Sequence, residues 1–166
     1  MEKLRIYLAD LEHFFPGNKI SVPLNIGYLC SYCKTLFGDD VEISLFRHPE
    51  ELMKEIKHSP PQVLGLSSFM WNANLTLKMF ELCKVASPST ITVIGGANVA
   101  CMTERYKTLL NNYPFIDIVV LDQGERSFAN IIERILSKGI KKKNVFYESI
   151  PGCAARVGNE DKIVRG

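Results

Sequence analysis

The sequence predicts an α/β fold built on a parallel, doubly wound sheet. Apolar, β-branched runs alternate along the chain with segments of helical periodicity. Two of these runs end in glycine turns, at Gly95-Gly96 and at Gly124, and a helical pattern follows each turn. Such turns allow a ligand to approach the backbone at the carboxyl edge of a parallel sheet. The same observations therefore predict an architecture and the position of a site.

Five strands are expected, each followed by a helix. The strands are predicted at residues 4–9, 41–46, 62–67, 90–94 and 117–121. The first helix begins near Pro23 and ends at Gly38, and the second begins at His48 and breaks at Ser59-Pro60-Pro61. The remaining helices are expected at residues 75–86, 102–111 and 127–137. At this length, strand order 2-1-3-4-5 is the common solution, which is the flavodoxin-like or Rossmann-like arrangement.

The last part of the chain has a different pattern. Short strand-like runs are predicted at residues 145–147, 153–157 and 162–164, with a turn at Gly158-Asn159. We therefore expect one domain over residues 1–140 and a linker or β-hairpin appendage over residues 141–166.

Composition excludes several functional classes. The 166 residues carry a net charge of +2, so electrostatics favour neither nucleic acid nor a membrane surface as a partner. No signal peptide and no apolar run of about 20 residues is present, which predicts a cytoplasmic protein without a membrane span. The odd number of cysteines, five, predicts free thiols.

The candidate site lies at the carboxyl ends of the strands. Its residues are glycines, serines, amides and large apolar groups, which suit the binding of a large, partly apolar ligand better than acid–base catalysis. Neither a catalytic residue nor a metal ligand is predicted. The residues predicted to bind a cofactor are Pro23, Ser67, Ser68, Phe69, Trp71, Asn72, Gly95, Gly96, Ala97, Gln123, Gly124 and Glu125. The long loop over residues 10–22, which contains His13, joins the same edge.

Several of these residues have two interpretations at this point. Trp71 either faces a ligand or packs over the sheet edge, and Ser67 and Ser68 either donate to a ligand or cap a helix with Asn72. The Gly95-Gly96 pair indicates close backbone approach, either to a ligand or to a neighbouring loop.

Two further motifs bear on the class of protein. The Cys30-x-x-Cys33 spacing is compatible with redox or metal chemistry, although packing of two small residues on the sheet is favoured because no partner motif completes a ligand set. Neither a G-x-G-x-x-G fingerprint after the first strand nor a Walker P-loop is present, which argues against nicotinamide and nucleoside triphosphate ligands.

The ordered set of strand-end segments resembles the amino-terminal cobalamin-binding domain of cobalamin-dependent radical S-adenosylmethionine enzymes. The segments are PLNIGYL (23–29), VLGLSS (63–68), WN (71–72), VIGG (93–96), and DIVV (117–120) followed by GERSF (124–128). The tail segment IPGCAAR (150–156) is similar to the linker that leads into the catalytic barrel of those enzymes.

The resemblance implies a cobalamin-binding domain that serves methyl transfer or another radical reaction in a catalytic barrel in cis. That barrel holds a 4Fe–4S cluster on a Cys-x3-Cys-x2-Cys motif and uses S-adenosylmethionine, and the motif is absent here, so this chain is not expected to catalyse alone. Mutase-type domains supply an axial histidine from Asp-x-His-x-x-Gly, whereas His13 and Gly17 follow Asp10 at a different spacing. Cobalamin without a protein histidine on cobalt is therefore implied. The alternatives are a flavodoxin-like interaction or regulatory domain without a cofactor and, less favoured, a small thiol redox enzyme.

Overall fold

The computed structural model describes residues 3–12, 22–100, 105–121, 123–141, 145–157 and 162–166. Several predicted features fall outside these ranges: His13 and most of its loop, the start of the helix expected at 102, Cys101, and the Gly158-Asn159 turn.

The described residues form a seven-stranded sheet of order β2-β1-β3-β4-β5-β6-β7. Strands β1 to β5 are parallel, while β6 is antiparallel to β5 and β7 is antiparallel to β6. The strands are β1 Leu4–Ala9, β2 Val41–Phe46, β3 Val63–Ser67, β4 Ile91–Gly95, β5 Ile118–Val120, β6 Cys153–Val157 and β7 Lys162–Arg165. The predicted parallel order 2-1-3-4-5 is therefore confirmed.

Six α-helices are described. They are α1 Leu24–Phe37, α2 Pro49–His58, α3 Ala73–Ala86, α4 Ala97–Ala100, α5 Arg105–Asn112 and α6 Gly124–Lys138. None of the helices in the described ranges has the length and apolarity needed to cross a bilayer.

The sheet separates two hydrophobic cores, as expected of a sheet covered on both faces. Residues alternate between them along each strand. Ile6, Leu8 and Val93 join the core beneath α1 and α6, whereas Leu64 and Ile94 join the core on the α3 and α5 side. Because α1 contacts α6 directly, these two helices form the roof of one face of the sheet.

The carboxy-terminal strands extend the main sheet. In β6, Cys153, Ala154 and Ala155 pair with β5, and all three are buried. The prediction of a strand at 145–147 is wrong, because Val145 is helical and the three residues after it form bends. Carbonyl groups of this segment accept hydrogen bonds from the Arg134 guanidinium rather than from a neighbouring strand.

A polar cluster closes the opposite, amino edge of the sheet. The Asp117 carboxylate accepts hydrogen bonds from Lys84 Nζ at 2.5 Å and from the Thr92 backbone amide at 2.9 Å. Asp117 and Lys84 are almost fully enclosed, so each requires its partner to offset the loss of hydration. This cluster lies at the edge opposite the site and holds the starts of β4 and β5 together.

Candidate cofactor site

A cavity of about 300 Å³ opens at the carboxyl edge, between the sheet and the α1–α6 roof. The residues that line it come from four strands, three helices and the intervening turns. They are Leu8, Asn25, Ile26, Leu29, Gly65, Leu66, Ser67, Phe69, Val93, Gly95, Gly96, Ala97, Val120, Gly124, Glu125 and Phe128. The wall is mostly apolar, with a few polar groups at the rim, which is the usual composition of a cofactor site.

The cavity exists because small residues replace large ones where β3 and β4 face the roof. Gly65, Ser67 and Gly95 occupy positions on this face, so these three positions place no large side chain in the cavity. Gly65 is already tightly packed, since a Cβ there would lie 2.7 Å from Leu8 Cδ2. At Gly124 a Cβ would meet Leu29 Cδ2 at an ordinary 3.5 Å. The cavity is therefore narrow above Gly65, whereas its mouth near Gly124 has room for an added side-chain atom.

The polar side of the cavity depends on Asn25, at the start of α1. Its Nδ2 donates a hydrogen bond to Ser67 Oγ at 2.8 Å. Its Oδ1 is shielded from solvent and has no hydrogen-bond partner within the described residues. Buried polar groups are seldom left unpaired in native proteins, so this oxygen is available to a donor on a ligand.

Asp10 and Asn72 hold the loops around the cavity mouth. Asn72 is fully buried, and its Nδ2 donates to the Leu11 carbonyl at 3.0 Å and to Asp10 Oδ1 at 3.3 Å. Its Oδ1 accepts from the Phe69 amide at 2.8 Å. Burial raises the pKa of the Asp10 carboxyl above its usual range, although hydrogen bonding from Asn25 and Asn72 partly opposes this shift. Asn72 therefore ties the segment after β1 to the turn after β3.

The close approach at Gly96 is to a neighbouring loop. Gly96 has φ of +101°, and a Cβ there would lie 2.8 Å from the Ser68 carbonyl oxygen. Ser68 in turn donates its amide to the Gly95 carbonyl at 2.7 Å and accepts from the Asn98 amide at 3.0 Å. These bonds join the turns after β3 and β4. Ser68 is thus a structural link between two loops and does not line the cavity.

Three large side chains stand at the rim. Phe69 lines the cavity, and its ring stacks on Trp71 with centroids 4.7 Å apart and planes 1° apart. Trp71 remains 64% exposed and Met70 85% exposed. An exposed apolar group of this size beside a cavity indicates a surface that a ligand or another domain covers.

Seven of the twelve residues predicted from the sequence line the cavity: Ser67, Phe69, Gly95, Gly96, Ala97, Gly124 and Glu125. The other five are elsewhere. Pro23 precedes α1, Gln123 precedes α6 on the exposed surface, and Trp71 stacks outside Phe69. Ser68 and Asn72 connect loops. Helix capping is not their role, because no side chain caps α3 by a hydrogen bond.

Sequence reasoning missed the walls of the cavity. Leu8, Ile26, Leu29, Val93, Val120 and Phe128 all line it. In the sequence these residues fit the apolar periodicity of core positions, and nothing in that periodicity shows that the facing space is open. Asn25 was missed as well, although it stands two residues after Pro23 in a segment that otherwise reads as apolar.

The Cys30-x-x-Cys33 pair packs against the core. Cys33 is fully buried, and desolvation, with a smaller contribution from Cys30, raises the pKa of its thiol to about 12. A thiol with this pKa is protonated at neutral pH and is a poor nucleophile and metal ligand. Among the described residues, no three His, Cys, Asp or Glu side chains converge as a metal site. The four described cysteines are free thiols, as predicted.

Comparisons with known proteins identify relatives of this chain. A cobalamin-dependent radical SAM methyltransferase, TokK of Streptomyces tokunonensis, is 29% identical over 100 residues, covering 60% of this chain and 14% of the relative. A 2-(S-pantetheinyl)-carbapenam-3-carboxylate methyltransferase of Streptantibioticus cattleyicolor is 31% identical over 101 residues, again 60% of this chain and 14% of the relative. The matched part of the chain thus spans about one seventh of the length of these relatives.

Among solved structures, the fold is similar to that of OxsB, a cobalamin-dependent S-adenosylmethionine radical enzyme with aqua-cobalamin and S-adenosylmethionine bound. The TM-score is 0.73 at 16% identity, and the alignment covers 99% of this chain and 22% of the OxsB chain. At this identity the likeness concerns the fold, including the antiparallel strands that follow β5.

A doubly wound domain with an apolar cavity at the carboxyl ends of its strands belongs to the class of cofactor-binding α/β domains. Residues 18–132 match the family model described as the B12 binding domain. The chain belongs to this family, and one of its relatives, TokK, is a cobalamin-dependent radical SAM methyltransferase. The alternative of an interaction domain without a cofactor is not favoured.

Proposed function

We propose that this chain is the cobalamin-binding part of a cytoplasmic radical S-adenosylmethionine methyltransferase. In this proposal the chemistry takes place on a catalytic domain in cis, which also holds a 4Fe–4S cluster and S-adenosylmethionine. The relatives that share this domain are methyltransferases of about seven times its matched length, which supports the proposal. Bound cobalamin supplies a cobalt centre for group transfer, and the residues described here bind and orient it.

The observation that carries the proposal is the fit between the cavity and the shape of cobalamin. Cobalamin combines a broad corrin plate, edged with carboxamides, and a nucleotide tail with a flat aromatic base. The cavity is narrow and apolar above Gly65 and Val93, which suits a flat base. The buried, unpaired Asn25 Oδ1 suits a donor from an amide or hydroxyl group. We propose that the tail enters the cavity and that the corrin lies over the rim formed by Phe69 and Ala97.

Retention of hydroxocobalamin tests this proposal. We expect the purified chain to retain about one corrin per chain after desalting, as measured by absorption. Ala97 is exposed at the rim, so an Ala97→Trp variant blocks the mouth without disturbing the core and should abolish retention. Ala86→Trp is the matched control, because Ala86 is exposed at the end of α3, beside the amino edge of the sheet.

Cobinamide, which lacks the nucleotide tail, tests the orientation. If the tail occupies the cavity, cobinamide should bind at least tenfold more weakly than hydroxocobalamin, because it buries none of the apolar wall. Absence of retention in the wild-type chain, or equal retention in the Ala97→Trp variant, would contradict the proposed site.

A further inference from the structure

Asn25 has one hydrogen-bonding atom that is satisfied and one that is not. Nδ2 donates to Ser67 Oγ at 2.8 Å, whereas Oδ1 is shielded from solvent and accepts no hydrogen bond within the described residues. Because Asn25 lines the cavity, a ligand there can supply the missing donor. The unpaired atom is a carbonyl oxygen, so the complementary ligand group is an N–H or O–H.

The direction of the Asn25 amide is set by its neighbours. An amide side chain can turn over and exchange its oxygen and nitrogen, and only the surrounding hydrogen bonds decide between the two orientations. Hydrogen bonding from Asn25 lowers the pKa of the Asp10 carboxyl, and an ionised carboxylate can only accept, so the Asn25 nitrogen rather than its oxygen is turned toward Asp10. Turning Asn25 over would place its oxygen against this carboxylate. Asp10 therefore favours the orientation in which Nδ2 faces Asp10 and Ser67.

Asp10 is itself held in place from two sides. Asn72 Nδ2 donates to Asp10 Oδ1 at 3.3 Å, and the Asp10 amide donates to the Phe46 carbonyl at 3.2 Å. The Glu12–Arg47 ion pair stands beside it and adds one charge of each sign. The carboxylate thus has a fixed position between the end of β1 and the start of α1.

We infer that Asn25 Oδ1 accepts a hydrogen bond from a donor group of bound cobalamin, and that Asp10 is the positioning residue that keeps this oxygen available. The inference rests on the proposed function. The donor is either a carboxamide at the corrin edge or a group of the nucleotide tail, and both present the same chemistry to Asn25. The pair Asp10 and Asn25 thereby adds a polar recognition element to an otherwise apolar cavity.

A double-mutant cycle on the 166-residue chain tests the inference. The dissociation constant of hydroxocobalamin is measured by absorption titration for the wild type, Asn25→Leu, Asp10→Asn and the double variant. Loss of one buried hydrogen bond predicts a dissociation constant about tenfold higher for Asn25→Leu, with a smaller rise for Asp10→Asn. The double variant should bind no more weakly than Asn25→Leu alone, because Asp10 acts through Asn25.

The controls separate this inference from the proposed function. Asn111→Leu makes the same change on the exposed end of α5 and should bind as the wild type does. If the wild type binds hydroxocobalamin and Ala97→Trp does not, the proposed cofactor site is supported. An unchanged dissociation constant for Asn25→Leu, or additive effects in the double variant, would then overturn the inference alone. If Asn25→Leu fails to fold, Asn25→Ala removes the same oxygen without adding bulk.

Cobinamide identifies the donor. If Asn25→Leu weakens cobinamide and hydroxocobalamin by the same factor, the donor is a corrin carboxamide. If the variant weakens only hydroxocobalamin, the donor belongs to the nucleotide tail.

Discussion

At the scale of single residues, the site depends on positions where a side chain is small or a polar atom is unpaired. Gly65 and Gly95 leave the cavity open, and Asn25 provides its buried acceptor. The sequence reveals the Gly95-Gly96 turn because two glycines interrupt a β-branched run. It does not reveal Gly65 or Asn25, because the importance of each depends on residues far along the chain, such as Leu8 and Ser67.

Gly96 should be intolerant of any side chain. Replacing it with alanine forces a Cβ to within 2.8 Å of the Ser68 carbonyl oxygen at a positive φ. We expect Gly96→Ala to lower the free energy of unfolding by about 1–3 kcal/mol, as measured by urea denaturation. Gly95→Ala is the control, since its Cβ would meet Val120 at an ordinary 3.5 Å. Equal losses in the two variants would refute this explanation.

Asp10 should make stability depend on pH. Because burial raises the pKa of its carboxyl, the folded chain binds a proton more tightly than the unfolded chain does. Its contribution to stability is therefore greatest below the ordinary aspartate pKa of 3.8 and is lost as the pH rises through the raised value. The Asp10→Asn variant should lack this loss of stability with rising pH.

The measurement is the difference in the free energy of unfolding between wild type and Asp10→Asn over a pH series in urea. The neighbouring charges of Glu12 and Arg47 are present in both proteins, so their direct titration largely cancels. A difference that does not change with pH would show that the Asp10 carboxyl titrates alike in the folded and unfolded chains.

At the scale of elements, sequence patterns predicted long helices and buried strands better than short segments. The α6 periodicity places Phe128, Ile131 and Ile135 on one buried face, as expected. The triplet at 145–147 has the composition of a strand, but three residues are too few to carry a period. In the structure the triplet contacts a side chain on another element, because Arg134 of α6 donates a hydrogen bond to the Val145 carbonyl and lies over the Tyr147 ring.

Arg134 should hold the connection between α6 and β6. Its guanidinium donates to the carbonyls of Glu148 and Ser149 at 2.9 Å each and lies 5.1 Å from the Tyr147 ring centroid. We expect Arg134→Met to increase hydrogen exchange in residues 145–157 and to lower the free energy of unfolding by roughly 1–3 kcal/mol.

The control for this variant is Glu133→Met, on the exposed side of the same helix, which should leave exchange unchanged. Unaltered protection of residues 145–157 in Arg134→Met would mean that the buried side chains of Val145 and Ile150 hold the segment by themselves.

At the scale of the whole molecule, the order of the parallel strands was predictable because alternating strands and helices allow few right-handed arrangements. The attachment of the carboxy-terminal strands to the main sheet was less predictable. The strand at 153–157 was predicted but its partner was not, and Ala154 and Ala155 are buried because β6 covers the edge of β5. β6 pairs with a strand more than 30 residues earlier in the chain, and a local sequence pattern does not indicate so distant a partner.

The Phe69–Trp71 stack gives this molecule an optical property. Trp71 is the only tryptophan in the chain, so all tryptophan emission originates beside the mouth of the cavity. A corrin is strongly coloured and absorbs where indole emits, so one bound at the rim would quench this emission by energy transfer. The unlabelled chain can therefore report the arrival and departure of its cofactor in real time, through a side chain that the fold leaves 64% exposed.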